Sequence, residues 1–337
     1  MEKNKNRRYQ KLQVWNDSIT DYMPNNPVLQ YSSTPALLMC LSLVVTMIFA
    51  AVVCSHAAGE QSEKLTVYTV NYPLQYFAER IAADHAKVVF PAPPDVDPAY
   101  WTPDARTIAA YQHADLILLN GANYAKWVNK VSLPQSRLVD TSSGFKEQYR
   151  YTTEKVTHTH GTEGKHAHEN TACTIWLDFI LAAGQAEAVS EALSRKKPEL
   201  KDTFHNNYEA LKKDLLTIDQ EINEIAAHNR AIPLIASHPV YDYLTKRYGL
   251  NIKSVHWEPD EVPTDKHWRE LRDMVKDHPA QWMLWEGEPL EASVEKLKSM
   301  GINSIVFNPS GNVPQQGDFL SVMQENVNNL KPIFMNQ

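Results

Sequence analysis

The sequence predicts an α/β protein of two lobes, each a parallel sheet covered by helices, joined by a long connecting helix, with a ligand cleft between the lobes. Three observations carry this expectation. Short β-branched runs alternate with amphipathic stretches from Leu65 to Asp140; the same alternation returns from Ile232 to Leu330; and a mostly helical segment separates the two. At 337 residues the chain has room for two such units, and 43% hydrophobic with 22% charged residues is what a globular protein with real cores shows.

Taken in order, 65–70 reads as a buried strand from Val67 and Val70, and 73–84 as a helix with Leu74, Phe77 and Ile81 at core spacing. A second strand at 87–90 precedes a proline-rich loop, 91–98. A helix at 103–113, a strand at 115–119, a helix near 124–130 and a strand at 137–140 complete the first unit. Strand and helix in strict turn imply a parallel sheet covered on both faces. Across 179–229, Leu211, Leu215, Ile218, Ile222 and Ile225 recur at three and four residues, interrupted once by Pro198. This reads as a stiff connector, with a coiled-coil face as the competing reading. Strands are then expected at 232–237, 252–257, 281–285 and 304–307, and helices at 240–248, 264–276, 290–300 and 319–330. The expected divisions are therefore a tail with a signal or anchor segment at 1–59, a first lobe at 60–178 with a histidine-rich loop at 157–169, a linking helix at 179–230, and a second lobe at 231–337.

Charge narrows the partners. A net charge of −7 without a long basic run argues against nucleic acid, because counterion release needs clustered Lys and Arg. Residues 36–54 carry no charge, and Lys3, Lys5, Arg7, Arg8 and Lys11 precede them, so the basic side is expected to stay in the cytoplasm. The run exceeds a signal-peptide core and reaches a length that spans a bilayer. Cleavage near Ala57 and an uncleaved membrane tether are both compatible with it; either way, residues from about Glu60 are expected outside the cytoplasmic membrane. If Cys54 leaves with the signal, only Cys173 remains beyond it, so no internal disulfide is expected.

The densest chemical signal is 158–168, where His158, His160, His166 and His168 form two His-x-His pairs spaced by glycines. Neutral imidazole suits borderline transition metals, and a Gly-rich tether lets several rings reach one ion. A solvated polar loop is the bland alternative. In α/β sheets ligands bind at the carboxyl ends of the strands, where Ser237-His238, Glu286-Gly287-Glu288 and Asn308-Pro309 fall. His256 ends a strand on the same side.

Ala236-Ser237-His238-Pro239-Val240-Tyr241-Asp242-Tyr243-Leu244, followed by Tyr248-Gly249-Leu250, resembles the third metal histidine and trailing helix of the zinc- and manganese-binding receptors of bacterial ABC importers. The resemblance covers roughly Leu65 to Leu330 and implies two Rossmann-like lobes joined by one long helix. Trp285-Glu286-Gly287-Glu288-Pro289 resembles the strand end that carries the family's acidic cleft residue; ungapped counting favours Glu286 and the Glu-Pro pair favours Glu288. Three family ligand positions are altered: Ala99 follows Pro98 where a histidine stands, Thr174 precedes Trp176-Leu177-Asp178 in place of another, and Asn308 replaces an aspartate. Only His238 is intact.

The resemblance implies a periplasmic or extracytoplasmic receptor, acting as a monomer, that captures zinc, or next manganese, and delivers it to a membrane permease. The metal shell would be remade from His238, Glu286 or Glu288, with Asp97, His256 and imidazoles of the 158–168 loop as new donors. The alternatives are a receptor of the same fold whose cleft has lost metal binding, and an enzyme using Ser237 and His238. The enzyme reading is disfavoured because adjacent strand residues face opposite sides and no Gly-x-Ser-x-Gly elbow occurs.

Overall fold

Residues 63–94, 96–151 and 171–335 are described by the computed structural model, together with the backbone of 157–159 and 165–167. The apolar run at 36–54 lies outside the described residues, among which no helix is long and apolar enough to cross a membrane. In chain order the elements are β1 (Leu65–Thr69), α1 (Tyr72–Ala82), β2 (Ala86–Val89), α2 (Ala105–His113), β3 (Leu116–Leu119) and β4 (Leu138–Asp140). Next come two short strands, β5 (Thr157–Thr159) and β6 (Lys165–Ala167), then α3 (Phe179–Lys196) and α4 (Lys201–Ala227). The second half holds β7 (Pro233–Ala236), α5 (Asp242–Tyr248), β8 (Asn251–Ser254), α6 (Asp265–Asp277), β9 (Trp282–Trp285), α7 (Glu291–Ser299), β10 (Asn303–Val306) and α8 (Phe319–Met335).

The strands form two four-stranded parallel sheets, ordered β2-β1-β3-β4 and β10-β9-β7-β8. In each, the chain steps outward once and then returns to the other side of its starting strand. The order therefore reverses between β1 and β3 in the first sheet and between β7 and β9 in the second. A crevice opens at such a reversal, beyond the carboxyl ends of the strands.

Local chemistry sets the helix starts. The Asn71 side chain accepts from the Leu74 amide, Asp104 from Thr107, and Asp178 from both Ile180 and Leu181. Thr264 and His267 exchange bonds in a capping box that opens α6. Gly249, at φ 66°, ends α5 in the left-handed region where glycine carries no Cβ penalty.

The single connector expected over 179–230 is instead two packed helices, α3 and α4, separated by a 3-10 turn at Pro198–Leu200. The cause is Pro198, which lacks the amide that would continue the α3 hydrogen-bond ladder. The apolar stripe of α4 is buried at Leu211, Leu215, Ile218, Ile222 and Ile225, with each such side chain worth about 2 kcal/mol on burial. The chain's last helix, α8, packs on α4 and also on α1 of the first sheet, where the Phe319 ring meets Phe77 edge-on at 5.4 Å. One continuous core thus runs from β1 through the helices to Leu284 and Phe307, while a smaller core holds Ile235, Trp257, Trp268 and Trp285 on the other face of the second sheet.

Asp219 of α4 is nearly buried and accepts a two-pronged pair of bonds from Arg247 of α5 at 2.7 and 2.6 Å, with a third from the Tyr248 hydroxyl at 2.9 Å. Arg247 also stands 3.8 Å from Asp178, the cap of α3. This ties the second sheet's first helix to the connector. Arg247→Met leaves the Asp219 carboxylate with only the tyrosine, and urea unfolding is expected to show a loss of about 2 kcal/mol; an unchanged midpoint would show that the tie adds nothing.

Candidate metal centre

Three adjacent strand ends of the second sheet each deliver one donor. His238 follows β7 by two residues and is 6% exposed; Glu258 follows β8, and Glu286 follows β9 directly. The backbone pins these ends together: the Ser237 amide donates to Leu284 O and the Trp257 amide to Ser237 O. As a result one ligand atom each from His238, Glu258 and Glu286 lies within 4.8 Å of the other two. The His238 Nδ1 stands 3.6 Å from Glu258 Oε1 and 3.8 Å from Glu286 Oε1. Donors at zinc-bond length on a tetrahedron sit about 3.4 Å apart, so the group needs only a small contraction to hold an ion.

Two carboxylates this close repel. Glu286 is pushed up from its ordinary 4.5 to about 8, first by burial and then by the charges of Glu258 and Asp97. A divalent cation would relieve both causes. It neutralises the pair and replaces the water the carboxylate has lost.

The surrounding cleft has a volume of about 1320 Å³. From the first half of the chain it is walled by Asp97, Tyr100, Trp101, Tyr124, Lys126 and Cys173. Asp97 sits in the loop after β2, its Oδ1 accepting from the Ala99 amide at 2.8 Å. It lies near enough to act on Glu286 but is not part of the converging trio. Burial and the Asp97 charge push the Cys173 thiol up to about 12, so it stays protonated at neutral pH in the metal-free cleft.

The altered positions have taken up structural bonds. Thr174 donates its hydroxyl to Val240 O at 2.6 Å, two residues past His238. The Asn308 carboxamide oxygen accepts from the Ser310 amide, and its backbone is gripped by Asn326 at both the amide and the carbonyl. Ala99 is buried and offers no donor. Further bonds join the two walls: Trp176 Nε1 donates to Pro309 O at 2.7 Å, and Asn312 Nδ2 to Pro93 O and Val96 O at 2.7 and 2.8 Å.

Of the donors weighed from sequence, the structure brings His238 and Glu286 together and faces them with Asp97. Glu288 is exposed and off the cleft wall, because it lies two residues farther along the turn after β9. His256 stands behind His238, ring to ring at 6.0 Å and nearly perpendicular, not on the cleft wall. The backbones of His158 and His166 are paired in the antiparallel β5–β6 register; His160 and His168 lie outside the described residues. Ser237 is fully buried and is not among the residues lining the cleft.

Glu258 and Cys173 were missed. Glu258 was recoverable: alternation along 255–258 buries Val255 and Trp257 in the smaller core and turns His256 and Glu258 to the other side. No pattern marked Cys173.

Comparison with known proteins follows the same lines. The family described as zinc-uptake complex component A, periplasmic, matches residues 67–332. Zinc-binding lipoprotein AdcA of Streptococcus pneumoniae is 26% identical over 310 residues, covering 86% of this chain but 60% of that protein. The chain therefore spans well under two thirds of that relative's length. The high-affinity zinc uptake system protein ZnuA of Bacillus subtilis is 26% identical over 292 residues, 82% of this chain and 89% of its own. Among solved structures, the metal-dependent lipoprotein YcdH from Bacillus subtilis superposes with TM-score 0.69 at 23% identity, covering 81% of this chain and all of that one. Zn(II)-bound AdcA gives 0.68 at 23% identity, with 81% of this chain and 58% of that one covered. These two establish the shared fold.

The raised Glu286 has a sign that can be measured. Between about 4.5 and about 8 the native state keeps a proton that the unfolded chain releases, so stability falls as pH rises across that window. In metal-free urea titrations the wild type is expected to lose on the order of 1–3 kcal/mol relative to Glu286→Gln between pH 5 and pH 8. A difference that stays constant with pH would contradict the assigned cause.

Proposed function

The chain belongs to the family of periplasmic zinc-uptake components, and from that premise we propose that it is an extracytoplasmic receptor that captures a divalent transition metal in its cleft and hands it to an ABC-importer permease. Zinc is the first cargo and manganese the second. The observation that carries the reading is the convergence of His238, Glu258 and Glu286 on one point at the edge of the second sheet. An imidazole with two carboxylates suits both ions. Relatives with related names divide between them: AdcA is a zinc-binding lipoprotein, and PsaA of Streptococcus pneumoniae, 25% identical over 285 residues, is a manganese substrate-binding lipoprotein.

Capture here needs no bond-making chemistry. His238 binds as the neutral ring and Glu258 and Glu286 as carboxylates, while Asp97 on the facing wall adds its charge to the site from outside the trio. Because the ion displaces protons from these groups, affinity falls as pH drops through the imidazole range near 6.5. The 158–168 histidines gather ions near the cleft. Residues 36–54 export the chain or tether it to the membrane, where the receptor acts as a monomer.

Two substitutions separate the cleft from its surroundings. His238→Ala is expected to weaken zinc binding on the order of 100-fold in competition dialysis against a calibrated chelator, since one of three converging donors is lost. Glu288→Gln is expected to leave it unchanged. Equal binding by wild type and His238→Ala would place the metal somewhere other than this cleft.

A further inference from the structure

Three donors do not close a metal shell. Zinc takes four ligands and manganese commonly six, so the trio of His238, Glu258 and Glu286 leaves at least one position directed into the cleft. On the facing wall Asp97 lies outside the converging trio, and the other positions offer no free donor. Ala99 has no donor atom, the Thr174 hydroxyl is given to Val240 O, and the Asn308 oxygen is held by the Ser310 amide. The bonds of Trp176 to Pro309 and of Asn312 to Pro93 and Val96 fix the two walls at this separation.

The space is also too large for an ion alone. A divalent ion with six waters occupies roughly 200 Å³, at about 30 Å³ per water, against about 1320 Å³ here. Volume of that order, with aromatic side chains and a few placed polar groups, is what small organic molecules occupy. Tyr100, Trp101, Tyr124 and Trp176 supply the rings. Lys126 supplies a cation: its Nζ lies 5.8 Å from the centre of the Tyr100 ring, and it makes no ion pair among the described residues.

Charge selects the guest. Asp97, Asp242, Glu258, Asp260, Glu261 and Glu286 line the cleft against only Lys126 and Lys253, so the field favours a net positive ligand and disfavours an anionic one. We propose that the cleft takes its metal as a cationic chelate, a divalent ion already carrying one amino acid through its amine and carboxylate. The protein trio fills the positions on one side of the ion. The amino acid fills the others, its second carboxylate oxygen reaching Lys126 and its side chain lying against Tyr100 and its aromatic neighbours. This rests on the metal-capture reading and adds the identity of the missing ligand.

The test is equilibrium dialysis of the full chain with labelled L-histidine, with and without one equivalent of zinc, measuring both. Histidine is expected to be retained one-for-one with zinc and not in its absence, and labelled citrate is expected not to be retained with zinc at all. Lys126→Met is expected to lower histidine retention about tenfold, the loss of one charge-assisted bond. Zinc held without histidine overturns the inference and leaves capture of the bare ion standing, as does histidine held without zinc. Retention of neither contradicts metal capture itself and this inference with it.

Discussion

Glu258 and Glu286 reach the same few ångströms of space because strands β8 and β9 end on either side of β7, and His238 at the end of β7 stands between them. Their like charges repel across this space. The cost shows in Glu286, whose carboxyl rises to about 8 under burial and the facing charges. A sheet edge that gathers like charges is under electrostatic strain, and a divalent cation is a partner that relieves it. The rest of the molecule fixes where the strain falls: the reversal of strand order opens the crevice at β7 and β9, and the smaller tryptophan-rich core holds the far face of the sheet rigid.

The same bonds that position the site limit its motion. Thr174, Trp176 and Asn312 each cross from one wall to the other through backbone carbonyls, and α8 returns from the second sheet to pack on α1. Of the positions that the resemblance marks as altered, Thr174 is one of these struts. The Thr174 hydroxyl grips Val240 and, through it, steadies the loop of His238.

Much of the architecture was legible because it rests on periodicity. Both sheets, nearly every helix and the cleft between them follow from alternating runs such as Leu116 to Leu119 and from the stripe on α4. The interruption expected at Pro198 divides the connector into α3 and the long α4, and the packing of these two helices on each other is what the spacing of apolar residues did not reveal. At the site, position along a strand was readable and depth was not. His238 and Glu286 sit where the strand-end rule puts them, but choosing between Glu286 and Glu288 required the turn after β9, which sends the second carboxylate to solvent. The strand-end rule did not mark Glu258, because it lies four residues past the end of β8, beyond the strand end itself, while its neighbour His256 is set off the cleft wall.

The account stands or falls on where the cargo sits. A crystal structure of the zinc-loaded protein, with anomalous data collected on both sides of the zinc edge, locates the ion without assumption. It is expected to show one strong peak at about 2.0–2.2 Å from a nitrogen of His238 and an oxygen each of Glu258 and Glu286. A peak elsewhere, with these three side chains left as they are in the metal-free molecule, would contradict it.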